Sequence, residues 1–244
     1  MAKTVLITGA SGGIGLALVE AFGQAGYQVA IHYRANRAAA ETARSALAAA
    51  GGRAICCQAE ISDREQVRAM LADIERRLGE VTHLVNNAGF AQQKLFADIT
   101  EAEWDRMFAV HVRGAFHCCQ AALPAMLRRQ RGSILNISSM WGQIGASCEV
   151  HYSAAKAALI GLTKALAKEL GPSGIRVNCL APGVIDTAMN SDLTKEALAE
   201  LAAASPLGRL GAPAEVARLA LFLAGQEDGF VTGQVVGING GLVI

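Results

Sequence analysis

The chain has 244 residues, of which 52% are hydrophobic and 18% are charged, and its formal net charge at pH 7 is +1. This length fits one α/β domain with a sizeable buried core. The near-neutral charge gives no electrostatic basis for binding nucleic acid or an anionic membrane, and no run of about 18 apolar residues predicts a membrane span.

The first predicted strand covers residues 3–8, which also leads us to expect no signal peptide. A glycine-rich turn, GASGGIG at 9–15, follows directly, and residues 16–25 form a helical pattern. This order is the context of a dinucleotide-binding turn, and the helix start favours phosphate. Gly9 permits the tight bend, and Gly12 or Gly13 lets the backbone approach the pyrophosphate. Gly15 lets the helix pack on the strand. We therefore favour a nucleotide site over a turn that binds nothing.

Further strands and helices alternate along the rest of the chain. Strands are predicted at 28–33, 53–58, 82–86, 132–138, 175–181 and 234–238. Helices are predicted at 38–50, 63–78, 101–129, 151–171 and 213–224. The alternation predicts an α/β fold, a Rossmann-type doubly wound seven-stranded parallel sheet, in a single domain spanning 1–244. Ligands of such a sheet bind at the carboxyl ends of its strands.

The six cysteines, at positions 56, 57, 118, 119, 148 and 179, lack the spacing of metal ligands. We therefore predict no metal site. Reduced, buried thiols in a cytoplasmic protein are favoured over disulfides.

Ser139, Tyr152 and Lys156 outline a site that protonates a carbonyl oxygen. If Tyr152 opens a helix, Lys156 lies one turn later on the same face. A tyrosine titrates near pH ~10, and a neighbouring ammonium lowers that pKa toward working pH. Ser139 then orients the carbonyl by a hydrogen bond. The Tyr-x-x-x-Lys pair alone also describes many surface pairs, so its weight depends on the nucleotide turn before it.

Five motifs occur in order along the chain: 8–15, 86–89, Ser138-Ser139 with 152–156, 182–187 and 239–241. On these motifs the chain resembles, end to end, the short-chain dehydrogenase/reductase family, in particular its bacterial 3-oxoacyl-acyl-carrier-protein reductases. The resemblance implies that Ser139 positions the carbonyl and Tyr152 donates the proton. It also implies that Lys156 holds the nicotinamide ribose and lowers the pKa of the tyrosine.

The resemblance further implies a set of cofactor-binding residues. These are Gly9, Ser11, Gly12, Gly13, Ile14, Gly15, Tyr33, Arg34, Glu60, Ile61, Asn87, Ala88, Gly89, Tyr152, Lys156, Pro182, Gly183, Ile185 and Thr187. Enzymes that prefer NAD place a carboxylate at the end of the second strand. Here His32-Tyr33-Arg34 offers none, and the fork of Arg34, assisted by Arg37, suits a 2′-phosphate. We predict NADP (NADPH) as the cofactor, the alternative being a solvent-facing basic turn.

One position departs from the family pattern. His111 stands where the family usually has an asparagine, which is thought to hold a water that relays protons from the lysine. Imidazole both accepts and donates, so we predict that His111 sustains the relay. The alternative is that it only fills space in the helix.

The substrate region follows Ser139 and includes Met140, Trp141 and Glu149. Reduction of a 3-oxoacyl thioester is favoured as the family's commonest activity. The stretch 141–152 also resembles reductases of the 5-aminopentanone group on elongation factor P, whose amine suits Glu149. A solvated glutamate is the plain alternative. A non-catalytic nucleotide-binding protein is an alternative of a different class.

Partners are predicted from charge and from the resemblance. Acyl-carrier protein is acidic, and Arg128, Arg129 and Arg131 offer a basic dock near the active-site mouth, although Ser173 replaces a basic residue often found in the family. A helix carboxyl terminus also favours such cations without any partner. A lid is expected over 187–207, including 190–192 and a short helix at 195–204. A homotetramer is expected through the long helices and the last strand, with the apolar tail 241–244 at the interface or capping its own core.

Overall fold

The structure is a computed structural model that describes residues 3–190, 194–225 and 229–244. Seven strands form one parallel sheet: β1 (Thr4–Ile7), β2 (Gln28–Tyr33), β3 (Ala54–Gln58), β4 (His83–Asn86), β5 (Gly132–Ile137), β6 (Ile175–Pro182) and β7 (Val235–Ile238). Their order is β3-β2-β1-β4-β5-β6-β7, so the strand order reverses between β1 and β4. The predicted doubly wound seven-stranded sheet is confirmed.

The helices lie on both faces of this sheet. They are α1 (Gly13–Gln24), α2 (Arg37–Ala49), α3 (Arg64–Leu78), α4 (Glu101–Phe108), α5 (Gly114–Arg129), α6 (Trp141–Ile144), α7 (Val150–Leu170), α8 (Lys195–Ala204) and α9 (Pro213–Gly225). Within the described ranges, no helix is long and apolar enough to cross a membrane.

Two apolar clusters, one on each face, hold the sheet between its helices. Phe22 of α1 and Leu47 of α2 belong to one cluster, together with residues of α9. Ile74 of α3 and Met126 of α5 belong to the other, together with residues of α7. Because both faces are covered, the strands are apolar almost throughout. Polar function is therefore left to the edge of the sheet where the strands end.

Helix starts are capped by side chains at several places, but not at the glycine turn. Asn36 accepts a hydrogen bond from Ala39 N–H at the start of α2, and Thr100 forms a capping box with Glu103 at the start of α4. The residue before α1 is Gly12, and among the described residues no side chain caps this helix. Its first N–H groups are thus available to a ligand.

The structure differs from the predicted helices in the stretch 101–129. Instead of one continuous helix, a turn of π-helix at Ala109–Arg113 separates α4 from α5. Such turns are rare and are frequently found at functional sites. The expected short helix at 195–204 is present as α8, whereas Ser191 and Asp192 of the predicted lid lie outside the described residues.

Candidate active site

A cleft of about 970 Å³ opens at the carboxyl ends of the strands and contains most of the predicted site residues. Its lining includes the glycine turn, the end of β2, the residues after β4 and β5, the first turns of α7 and the segment after β6. Ser139, Tyr152, Lys156 and His111 all line it, and all four are buried. The sheet topology therefore brings distant parts of the chain to one place.

Ser139 and Tyr152 are hydrogen-bonded to each other. The Ser139 hydroxyl oxygen also accepts a hydrogen bond from Trp141 N–H at 3.2 Å. Lys156 lies one helical turn after Tyr152, and its Nζ stands 5.5 Å from the centroid of the tyrosine ring. Its ammonium donates to the Ile137 carbonyl at 2.8 Å, which fixes it beneath the end of β5.

Burial controls the charge of these groups. It raises the pKa of Tyr152, and the hydrogen bond with Ser139 offsets this only in part, so the lowered pKa expected from Lys156 is not seen here. Burial lowers the pKa of Lys156 to about 8, which still leaves the ammonium mostly charged at neutral pH. The site therefore holds a neutral phenol next to a cation.

His111 lies in the π-helical turn and packs its ring edge-on against Tyr152, with 5.5 Å between the centroids. Its Nε2 is 3.1 Å from the backbone nitrogen and 2.8 Å from the backbone oxygen of Phe90, so either neutral tautomer has a partner there. Its Nδ1 is buried without a partner among the described residues. Burial lowers the pKa of His111 well below 6.5, with Lys156 contributing.

The glycine turn is fixed by the residues after β4. Thr8 Oγ1 accepts hydrogen bonds from the N–H groups of Asn87 and Ala88, at 2.9 and 3.0 Å. The Asn87 amide donates to the carbonyls of Thr8 and Gly9. Gly9 has φ +62°, and a Cβ there would stand 2.6 Å from Ala88 Cα, so only glycine fits.

The end of β2 places one predicted cofactor residue in the cleft and another away from it. Arg34 lines the cleft, and its guanidinium lies 3.8 Å from the carboxylate of Glu60. The side chain of Tyr33 packs in the core with Ile31 and is not among the residues that line the cleft. Successive strand residues face opposite sides of a sheet, so His32 lines the cleft instead. Gly15 is likewise absent from the lining, and a Cβ there would stand 2.2 Å from the carbonyl oxygen of Gly9.

The three predicted substrate residues, Met140, Trp141 and Glu149, all line the same cleft. Burial raises the pKa of the half-buried Glu149, and a hydrogen bond with Gln93 opposes that shift. Gly142 lies where α6 meets α7, and a Cβ at this position would stand 2.7 Å from the carbonyl carbon of Lys156. The segment after Ser139 is thus packed directly on the helix that carries the catalytic candidates.

A polar network that was not predicted from the sequence lies at the mouth of the cleft. Glu103 accepts hydrogen bonds at 2.8 Å from Lys94 and Gln92, besides those of Thr100. The ammonium of Lys94 is the main cause of the pKa of Glu103 falling to about 2. Gln92 Oε1 lies 3.0 Å from Nε2 of the buried His151, next to Tyr152. The Thr-x-x-Glu capping-box pattern was a readable signal for the Glu103 contact.

The predicted basic dock is not near this cleft. Arg128 and Arg129 end α5 and pair with Glu80 at 2.7 and 3.4 Å. Arg131 immediately precedes β5, whereas Ser139 follows its other end. A six-residue strand spans roughly 20 Å. The expectation of a dock beside the mouth is therefore wrong for a single chain.

The dinucleotide implied by the sequence resemblance fits the residues present. The start of α1 has free N–H groups, the glycine turn leaves no room for side chains at Gly9, and Arg34 supplies a cation at the end of β2. The N–H groups and the glycine turn suit a pyrophosphate, and the cation of Arg34 suits a phosphate on the ribose. The cleft volume also lies within the range of cofactor sites.

Comparisons with known proteins agree with this geometry. Residues 9–243 match the family model described as Enoyl-(Acyl carrier protein) reductase. The chain is 37% identical to the 3-oxoacyl-[acyl-carrier-protein] reductase FabG of Staphylococcus aureus strain Mu50, covering 99% of this chain and 98% of that protein. It is 40% identical to the uncharacterized oxidoreductase YmfI of Bacillus subtilis, covering 99% of each. The crystal structure of 3-oxoacyl-[acyl-carrier protein] reductase from Brucella melitensis superposes with a TM-score of 0.93 at 39% identity, covering 99% of this chain and 91% of that one.

Proposed function

This chain belongs to the short-chain dehydrogenase/reductase family, and on that premise we propose that it is an NADPH-dependent carbonyl reductase acting on a 3-oxoacyl thioester. One observation carries the proposal. A single cleft places a phosphate-binding type of glycine turn beside the buried Ser139, Tyr152 and Lys156. The printed names of the Staphylococcus and Brucella relatives support the choice of substrate class.

When bound, a reduced nicotinamide supplies the hydride that reduces the carbonyl carbon. Ser139 donates a hydrogen bond that holds the carbonyl oxygen next to the Tyr152 hydroxyl. Tyr152 donates its proton to that oxygen as negative charge develops there. The Lys156 ammonium, 5.5 Å from the tyrosine ring, stabilises the phenolate that remains. The raised pKa of Tyr152 keeps the hydroxyl protonated and ready to donate before the reaction.

His111 returns a proton to the site in this proposal. Its Nε2 is satisfied by the Phe90 backbone in either tautomer, so Nδ1 is free to donate or to accept. A histidine in a relay accepts a proton and releases one, and Nδ1 is the ring nitrogen that the protein leaves available for this exchange. The contact between the His111 and Tyr152 rings supports a role for this imidazole beside the proton donor.

We propose NADPH over NADH because Arg34 lines the cleft at the end of β2 and no carboxylate stands in its place. Arg34 is largely exposed, and its contact with Glu60 is long at 3.8 Å, which leaves its fork able to take a phosphate. Glu60 and Ile61 line the neighbouring wall, where the adenine would lie.

A second substrate has a specific observation in its favour. Glu149 is half-buried in the cleft, where burial raises its pKa, and a cationic group would satisfy its carboxylate. An amine-bearing ketone, such as the 5-aminopentanone group on elongation factor P, meets that requirement. The absence of the three arginines from the mouth also removes one argument for an acidic carrier in a single chain.

The deciding assay compares NADPH consumption with an acetoacetyl-carrier thioester and with elongation factor P bearing 5-aminopentanone. Faster turnover of the thioester supports the first substrate. Faster turnover of the modified factor, with loss of that preference in Glu149→Gln, supports the second. Turnover of neither ketone argues for a non-catalytic nucleotide-binding protein.

Tyr152→Phe tests the chemistry itself. It removes only the hydroxyl oxygen from a packed ring, so NADPH affinity should stay within about threefold, while kcat should fall by at least about a hundredfold, the usual contribution of a positioned acid. Ala155→Gly on the same helix is a control for altered packing. Turnover by Tyr152→Phe close to wild type would refute the assignment of the proton donor.

We also propose a lid over 187–207, of which 191–193 lie outside the described residues, and a homotetramer in the cytoplasm. The lid would close over substrate to exclude water before hydride transfer. Large apolar side chains are exposed on α5, on α9, before β7 and at the carboxyl terminus, and they support burial between copies of the chain; they are Phe116, Phe222, Phe230 and Ile244. The six free cysteines suit a reducing compartment.

A further inference from the structure

A buried histidine links the glycine turn to the segment 59–61. His32 is the fifth residue of β2 and only 2% exposed. Its Nδ1 accepts a hydrogen bond from Gly9 N–H at 3.0 Å, and its Nε2 lies 3.1 Å from the carbonyl oxygen of Ala59. Gly9 begins the glycine turn after β1, and Ala59 follows β3 and directly precedes the cleft-lining residues Glu60 and Ile61.

These two contacts determine the protonation state of the ring. A backbone N–H only donates, so Nδ1 must be unprotonated to accept from Gly9. A carbonyl oxygen only accepts, so Nε2 must carry the hydrogen. His32 is therefore a neutral imidazole in one tautomer, and burial, which lowers its pKa, favours the same state.

The position of Gly9 makes its contact with His32 consequential. Gly9 has a left-handed backbone and is packed against Ala88, so the turn has little room to adjust. Ala10 N–H donates to the His32 carbonyl at 2.8 Å, which leaves the Gly9 N–H to the His32 side chain. Removing the side-chain acceptor would leave a partly buried donor without its partner at the first residue of the turn.

We propose that His32 is a positioning residue for the dinucleotide, which sets the separation and orientation of the glycine turn relative to the segment 59–61. It does not touch the reacting atoms, so it acts on cofactor affinity and leaves the chemical step unchanged. This inference rests on the proposed use of NADPH.

The test uses two variants of equal shape. Asparagine and leucine have the same branching, but only asparagine places an acceptor oxygen where Nδ1 of His32 lies. Both shorten the side chain and both lose the contact with Ala59. Asparagine also buries an amide N–H group, which can only weaken that variant, so tighter NADPH binding by His32→Asn than by His32→Leu reports the Gly9 hydrogen bond. His83→Ala removes a buried imidazole from the far end of β4 and serves as the control.

The Kd of NADPH would be measured by fluorescence titration, together with kcat at saturating NADPH and the melting temperature without nucleotide. We expect His32→Leu to raise the Kd about tenfold, or about 1.4 kcal/mol. We expect His32→Asn and His83→Ala to stay within about threefold, and kcat of all variants to stay within about twofold. His32→Ala repeats the comparison if leucine prevents folding.

Equal Kd values for His32→Asn and His32→Leu would overturn the inference, because the acceptor would then be irrelevant. A fall in kcat without a rise in Kd would overturn it as well. Wild-type protein that does not bind NADPH would refute the proposed function and this inference with it. Normal wild-type binding with unaffected variants would refute the inference alone.

Discussion

Replacing Gly142 by alanine tests how tightly the serine segment must pack on α7. The added Cβ would stand 2.7 Å from the Lys156 carbonyl carbon and 2.8 Å from Ser138 Oγ. Carbon atoms rest about 3.5 Å apart, so α6 must retreat from α7 by roughly 0.8 Å. The obstacle is backbone, and Ser138 Oγ already donates to the Lys156 carbonyl at 2.7 Å, so neither neighbour yields easily.

The displacement should damage catalysis more than cofactor binding. A misplacement near 1 Å costs about a hundredfold in rate, so we expect kcat/KM for the ketone to fall by roughly thirty- to a hundredfold. Overpacking of this kind also destabilises a protein by about 1–3 kcal/mol. That range corresponds to a melting temperature lower by about 2–12 °C in a domain of this size. The glycine turn lies between β1 and α1, on other elements than this contact. The Kd of NADPH should therefore stay within about threefold of the wild-type value.

The assay is steady-state NADPH oxidation with a good ketone, alongside thermal unfolding and NADPH titration. Gly171→Ala is the matched control, because a Cβ there meets nothing within 4 Å and its φ of −53° suits alanine. That control should keep its activity and gain up to about 1 kcal/mol in stability. Gly142→Ala with more than half of the wild-type kcat/KM would refute the argument that this contact positions the site.

Two further predictions concern the cofactor and the pH dependence of stability. Arg34→Ser should lower kcat/KM for NADPH about tenfold or more, since a charged hydrogen bond contributes about 1.5–3 kcal/mol. The value of kcat/KM for NADH should stay nearly unchanged. An equal loss for both nucleotides would contradict the assignment of Arg34 to the 2′-phosphate. Burial lowers the pKa of His32, His111 and His151, so these rings stay neutral in the fold while unfolded histidines protonate below pH ~6.5. The unfolded chain then binds more protons, and the free energy of unfolding should fall as pH drops from about 7 to 5. Urea titrations at several pH values would measure it, and higher stability at pH ~5 would contradict the neutral rings.

The fold was predictable because its strands carry strong local signals. The apolar runs at 4–7 and 175–182 are buried along their whole length, and their limits lie within one or two residues of those predicted. The glycine turn and the Tyr-x-x-x-Lys pair depend on short local spacing, which a sequence displays directly. Their meeting in one cleft followed from the rule that parallel strands end at the same edge.

The remaining errors arise where a property depends on distant neighbours. The face toward which the Tyr33 side chain points depends on the register of β2. The neighbouring His32, which lines the cleft, was therefore not predicted as a site residue. The pKa of Tyr152 depends on burial by residues from α4 and the π-helical turn, which outweighs its sequence neighbour Lys156. The arginines at 128–131 lie far from the mouth because α5 runs antiparallel to the strands, a fact that composition does not encode.

The π-helical turn at 109–113 limits the insertions and deletions that this part of the protein can tolerate. A π turn carries about one residue more than an α turn, and each residue advances a helix by about 100°. Deleting one residue here would restore a regular helix, but it would rotate the face of α5 that buries Met126 away from the sheet, or else withdraw His111 from Phe90. The packing of α5 and the position of His111 therefore depend together on the length of this segment as much as on its side chains.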